Sequence, residues 1–344
     1  MATKQRSDSR GDVKLLPRPD RAGQGNRSMP RPLLYLSALT GLLALAAAGA
    51  GLLWRGAQET VSVTTFLGQR VELYGGGMYE HDSLFVVGNN LGSDLVTVFL
   101  GLPLLAISLR LALRGSRRGQ LLLVGTLGYF VYYGASYALG AVAYNEMFLV
   151  YVALFSAGVF AFVRAFASID PERLAISPNI PRRMIGIFMT ASGIVTLGIW
   201  LIDPVTSLLT GDPPKRLDTH TTLFTHAIDI AIIVPAAMLA GWLILKRRPS
   251  GYVVASSLLV LEALLMPMIT IATIAQVRFG LPFASGEIIG PIAGFSVFAI
   301  LSVWVIVTIL RNVSTPTPAA IGMDPTSSGT AGIRSSALRT RTTP

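Results

Sequence analysis

Long apolar runs alternate with short polar ones along most of this chain. Eight runs of about 20 residues lie near Leu33–Trp54, Leu91–Leu111, Leu121–Ala143, Phe148–Ala167, Met184–Ile202, Leu223–Leu245, Tyr252–Ala275 and Ile288–Leu310. A helix rises about 1.5 Å per residue and a bilayer's hydrocarbon core is about 30 Å thick, so each run is long enough to cross it. The pattern predicts an all-α integral membrane protein with eight transmembrane helices. The membrane domain covers 33–311, with the longest outer loop at 55–90. The flanking segments 1–32 and 312–344 are polar, Arg-bearing or Ser/Thr/Pro-rich and without apolar periodicity, so both are expected to be disordered tails. The first run follows a basic leader but exceeds the apolar region of a signal peptide, so it is expected to stay as a span.

Charge gives the runs an orientation. Of 28 Lys and Arg residues, all but Arg55, Arg70, Lys215, Arg216 and Arg278 fall in the tails or in the turns after the second, fourth and sixth runs. The positive-inside rule then predicts cytoplasmic N- and C-termini and a multi-pass protein of the cell's inner (plasma) membrane. The same placement makes the net charge of +10 a topology signal. It points to a lipid bilayer as partner and away from nucleic acid. Trp54 and Trp200 fall at outer run ends and Trp242 at an inner one, as an interfacial belt would place them. The chain has no cysteine, which excludes disulfides, thiolate catalysis and cysteine metal sites.

The outer segment before the second run alternates polar and apolar residues at Thr60–Thr64 and again at Arg70–Leu73. A turn at Leu67-Gly68-Gln69 would pair them as a small extracytoplasmic β-hairpin. Tyr74-Gly75-Gly76-Gly77-Met78-Tyr79 follows, read either as a flexible loop or as a re-entrant or ligand-clamping turn. Asp82-Ser83 is suited to cap the next helix.

Ionisable groups inside spans are costly and mark cavities or partners. Asp94, Asp229 and Glu262 are the three. Thr222, Thr225, His226 and Asp229 follow i, i+3, i+4, i+7 spacing and share one face. If the helix starts near Thr221, Asp229 lies about 12 Å along it. A His and a carboxylate one turn apart suit a proton relay, a metal, or a self-satisfied polar patch. No HExxH-type spacing accompanies them. In the third run Tyr129, Tyr133 and Tyr137 recur at i+4, beside a row of Tyr132, Ser136, Gly140 and Tyr144. Such a face either packs on neighbouring helices or lines a passage. Glu146 sits in a tight outer turn, within reach of the sixth run or solvated. Glu262 lies mid-span, one turn before Pro267, and must be neutral or paired. Glu287 is placed to cap the last helix.

His81, His220 and His226 all fall on the outer side, so polar chemistry is expected to open outward. Eight residues form the expected polar vestibule: His226, Asp229, Asp94, Tyr132, Tyr137, Glu146, Glu262 and Thr225. Asp94 precedes Pro103 by nine positions and Asp229 precedes Pro235 by six. Each follows a His-bearing outer segment and leads to a basic turn. This suggests a 4+4 parallel duplication in which Asp94 and Asp229 are equivalent and face one central vestibule.

The run Tyr144-Asn145-Glu146-Met147-Phe148-Leu149-Val150-Tyr151-Val152-Ala153-Leu154-Phe155-Ser156 resembles a stretch in bacterial multi-spanning membrane proteins that carry no assigned activity. Leu73-Tyr74-Gly75 and His226-Ala227-Ile228-Asp229 are similar to the same group. The resemblance implies the membrane fold but brings no substrate, cofactor or catalytic residue.

The foremost functional reading is transport of a small polar solute or ion through an outward-opening vestibule, with His226 and Asp229 coupling protons. A non-catalytic membrane partner, sensor or assembly factor, acting through hairpin and tails, is the alternative. The other is an outward-facing enzyme with His226 and Asp229 as base and orienter or metal ligands, assisted by Glu146 or Asp94.

Overall fold

The computed structural model describes residues 29–314 apart from 58, 215, 216 and 284, and the side chains of 284–291 are likewise not described. Most of the expected tails (1–28 and 315–344), Lys215, Arg216 and the cap expected of Glu287 lie outside the described residues, while Arg31, Pro32 and Asn312 are helical and Val313–Ser314 is a strand. Eight helices are long and apolar enough to cross a membrane. In chain order they are α1 Arg31–Leu53, α2 Leu84–Leu113, α3 Arg117–Leu139, α4 Phe148–Ser168, α5 Arg182–Thr210, α6 Phe224–Leu245, α7 Ser250–Arg278 and α8 Ser285–Asn312.

The connections divide into two groups, each tied together by hydrogen bonds. On one side stand the loops after α1, α3 and α5. Strands β1 Val61–Thr64 and β2 Arg70–Leu73 pair antiparallel, with Val61 opposite Leu73. The Ser83 hydroxyl accepts from the Val86 N–H (3.2 Å), capping α2, and donates to Asp218 (2.7 Å). Asn145 donates to the Met78 carbonyl (3.3 Å). On the other side lie the Arg-bearing turns after α2, α4 and α6. There, short strands β3 Ala175–Ile176 and β4 Val313–Ser314 pair, and Arg118 Nε donates to the Val313 carbonyl (2.9 Å).

The glycine run is held against the end of α1, with the Met78 N–H donating to the Trp54 carbonyl (3.1 Å). Gly77 has φ +67°, and a Cβ there would lie 2.3 Å from the Trp54 carbonyl oxygen. Three small residues let this strand of backbone lie directly against the end of α1.

Helix α3 is the centre of the bundle: 67% of its most apolar stretch is buried, against 28–33% for the other seven. It meets α7 through small residues, as membrane helices do without a hydrophobic drive to associate. A Cβ on Gly125 would sit 2.5 Å from Val260, and one on Gly128 would sit 2.6 Å from the Ser257 carbonyl.

Helix α2 begins at Leu84, seven residues before the expected start. Its first turns carry Asn89, Asn90 and Ser93, which hydropathy reads as loop. Gly88 and Gly92 press this segment onto α7, where Gln276 donates to the Phe85 carbonyl (2.9 Å) and to Asn89 (3.2 Å). Helices α2 and α6 each contain one π-helical turn, Thr97–Gly101 and Asp229–Ile233. Each is followed two residues later by a proline, Pro103 and Pro235. A proline lacks the N–H and crowds the carbonyl four residues back, so the preceding turn widens.

The α2–α3 and α6–α7 turns share their hydrogen bonds at a constant spacing. Gly115 N–H to Ala112 O is matched by Arg247 N–H to Ile244 O, and Ser116 N–H to Leu111 O by Arg248 N–H to Leu243 O. Gly115 (φ +77°) and Arg247 (φ +60°) both take left-handed backbone. Each matched pair is 132 positions apart, as are the two π turns and the two prolines.

Candidate functional site

Two polar clusters lie within the bundle. The first is closed. Asp94 is fully buried on α2 and accepts from Tyr79 (2.5 Å), Tyr133 (2.8 Å) and Tyr137 (2.7 Å). Tyr137 also reaches the Asn90 carbonyl (3.1 Å), and the Tyr129 and Thr97 hydroxyls share a 2.6 Å bond. One row of α3 tyrosines, spaced by four, thus serves three successive polar positions of α2. No cation takes part. Three phenolic donors satisfy the carboxyl, and that offsets the cost of holding it out of water.

The second cluster surrounds a cavity of about 810 Å³ between α2, α3, α5, α6, α7 and α8. Most of its wall is apolar, with Phe85, Ile199, Leu261, Phe295 and Phe298 among the lining. Its polar groups come from several helices. Asp229, from the π turn of α6, lies beside the Tyr132 hydroxyl and the Trp200 indole, both placed to donate to it. His226 sits against Trp200, ring centroids 4.3 Å apart. Trp200 is therefore part of the cavity wall and not only an interfacial anchor. Glu262 accepts from Ser302 (2.6 Å) and Ser192 (3.4 Å), which ties α7 to α8 and α5. The Asn90 amide nitrogen is buried without a partner, and Asn90 is also on this wall. Helix α6 begins at Phe224, three residues later than expected, so Asp229 is only about 7–8 Å along it.

Six of the eight expected vestibule residues line this cavity: Tyr132, Tyr137, Thr225, His226, Asp229 and Glu262. Asp94 is not on its wall and reaches it only through Tyr137. Glu146 is exposed in its turn, away from the cavity. Asp94 and Asp229 therefore do not share a vestibule: the tyrosine row fills the space into which Asp94 would open. Sequence reasoning missed Tyr79, Trp200, Ser192, Ser302 and Asn90 as members of these clusters. A serine inside an apolar helix and a tyrosine at the end of a glycine run carry no local sign of a distant carboxylate. Among the described residues, no three His, Asp or Glu side chains converge as a metal site requires.

No family model, no curated protein and no solved structure matches this chain. The site's own geometry is what bears on function.

Outside the spans, buried Asp82 and half-buried His220 join the loops to the bundle. Asp82, 1% exposed, accepts from the Ala143 N–H (2.8 Å) through one oxygen, while the other has no partner. Burial pushes its carboxyl up to about 7, partly opposed by that hydrogen bond. His220 lines the cavity, and burial lowers its pKa.

Proposed function

We propose that this protein binds a small solute in the cavity between α3, α6 and α7 and passes it between the cavity and the side that carries the hairpin. The observation that carries this reading is a roomy intramembrane cavity with Asp229, His226 and Glu262 on its wall. Carboxylates and a histidine at membrane depth are retained at a cost, and polar pathways are their commonest use. His226 and Asp229, one turn apart, are the proposed proton-exchanging pair. The largely apolar wall shifts the expected solute from purely polar or ionic to amphipathic. The asymmetry of Lys and Arg supports cytoplasmic termini, an extracytoplasmic hairpin and an inner-membrane location.

The reading includes an internal duplication in parallel orientation. The shared turns, the shared π turns and the prolines at one spacing support it. The α3–α7 contact supports it too: with a shift of 132, Gly125 on Val260 and Gly128 on Ser257 become the same contact seen from either half. The register differs from that expected from the sequence. Matched on the prolines, Asp94 pairs with His226, and Asp229 pairs with Thr97.

Single cysteines at Tyr132, Asp229, Glu262 and Asp94, with lipid-facing Ile232 as control, test the reading in intact cells with a membrane-impermeant thiol reagent. The expected outcome is labelling at Tyr132 and Asp229 and protection at Ile232 and Asp94. Uniform protection in folded, inserted protein would sink the reading and leave these groups as internal packing, favouring a partner or scaffold role.

A further inference from the structure

The two halves treat matched positions differently. In the first, Tyr129, Tyr133 and Tyr137 of α3 project onto Thr97, Asp94 and Asn90 of α2. A shift of 132 brings these tyrosines to Leu261, Leu265 and Ile269 of α7, and all three line the cavity. It brings Asp94 and Thr97 to His226 and Asp229 of α6, which line the same cavity. The second half thus keeps polar acceptors, with Tyr132 and Trp200 beside Asp229, but has shorter aliphatic chains at the positions matched to the tyrosine row.

The chain itself shows what satisfies such acceptors in this fold. Asp94 is buried without any cation and is held by phenolic hydroxyls alone. Glu262 is held by two serine hydroxyls. Among the described residues, no Lys or Arg lies on the cavity wall. The partnerless Asn90 amide, 3% exposed and on the same wall, offers a donor to a ligand oxygen. A ligand suited to this wall is mostly apolar, carries a hydroxyl donor for Asp229 or His226, and has an oxygen within reach of Asn90.

We propose that the cavity binds an apolar molecule bearing a phenol or hydroquinone ring, whose ring takes the place in the second half that the tyrosine side chains take in the first. This rests on the solute-binding reading and names the class of solute. Bound this way, the ring packs on Leu261 and Leu265 and its hydroxyl donates to Asp229. The rest of the molecule extends along the apolar wall toward Phe295 and Phe298.

The test uses purified full-length protein in detergent and three probes with the same tail: tritiated 4-hexylphenol, 4-hexylanisole and hexyltrimethylammonium. Binding is followed by scintillation proximity, with the unlabelled probes as competitors. Saturable binding of the phenol is expected. Methylating the hydroxyl removes the donor of one buried hydrogen bond and leaves its acceptor unmatched, so the anisole is expected to compete about tenfold more weakly. Asp229→Leu is expected to weaken the phenol by a similar factor. Leu265→Tyr, which supplies the missing ring, is expected to abolish binding, with the variant's thermal unfolding as the control for folding. Preferential binding of hexyltrimethylammonium would overturn the class in favour of organic cations. Equal binding of phenol and anisole would overturn it in favour of shape alone. If no probe binds although a cysteine at Asp229 is labelled from water, the ligand class fails and the solute-binding reading stands. If that cysteine is also protected, the reading itself fails.

Discussion

At the scale of single residues, the closest packing surrounds Asp94. Gly51 of α1 closes this cluster: a Cβ there would lie 2.1 Å from Asp94 Oδ2 and 2.3 Å from the Tyr79 hydroxyl. Gly51→Ala is therefore expected to force Tyr79 off the carboxyl and cost about 1–3 kcal/mol, as overpacking does. Gly49, on the same helix with nothing within 4 Å, is the control. Gly49→Ala is expected to be neutral or to gain up to about 1 kcal/mol from helix propensity. Equal thermal shifts for the two would remove the steric argument. Asp82 makes a prediction in pH. Its folded pKa of about 7, raised by burial, lies above the ordinary carboxyl value of 3.8. The folded state thus holds a proton that the unfolded chain has released, and its contribution to stability is lost as pH rises toward 7. Wild type is expected to melt progressively lower from pH 5 to pH 8, with the slope reduced in Asp82→Asn. An unchanged slope in that variant would mean Asp82 does not titrate in this range. Charge alone identified Asp94 in the sequence, and the i+4 rule identified Tyr133 and Tyr137. Their meeting across two helices, with Tyr79 as third donor, depends on packing that no local pattern encodes.

At the scale of elements, all eight spans were legible because about 20 apolar residues have few other uses. Their ends were less so. Helix α2 starts seven residues early, where α7 covers its polar turns, and α5 runs through Pro204 to Thr210 although that last stretch is largely exposed. The π turns were not legible beyond the prolines that follow them. They matter because one extra residue rotates everything upstream by about 100° around the helix axis. Deleting Ala231 should restore an ordinary α turn and swing His226 off the cavity wall. A cysteine at position 226 is expected to lose its labelling in that background, whereas retained labelling would mean the π turn does not set its direction. The paired turns predict something simpler. Arg247 has the left-handed backbone that Gly115 takes at the matched place, and this costs a non-glycine residue roughly 1 kcal/mol. Arg247→Gly should raise the melting temperature slightly, and Gly115→Arg should lower it. A lower melting temperature for Arg247→Gly, or a higher one for Gly115→Arg, would show that the two turns are alike in hydrogen bonding but not in strain.

At the scale of the whole molecule, the two halves of the proposed duplication are unequally filled, and exchanging their contents tests this directly. In a bilayer the apolar environment is the same inside and outside the bundle, so packing and hydrogen bonds carry most of the stability. Tyr133→Leu removes a ring from a site with no spare room and takes one of three donors from Asp94. Cavity and lost hydrogen bond together should cost about 3–5 kcal/mol. Leu265→Tyr makes the reverse change at the matched position. There the ring enters the cavity that His226 and Asp229 also line. The expected change is within about 1 kcal/mol of zero, because nothing must be displaced to admit it. Thermal unfolding of the two purified variants in one detergent measures both. A large loss for Tyr133→Leu with little change for Leu265→Tyr is what one filled half and one open half require. Comparable losses in both would mean that the space beside α6 is already committed to its own packing. The shift of 132 would then describe the turns without describing the helices between them.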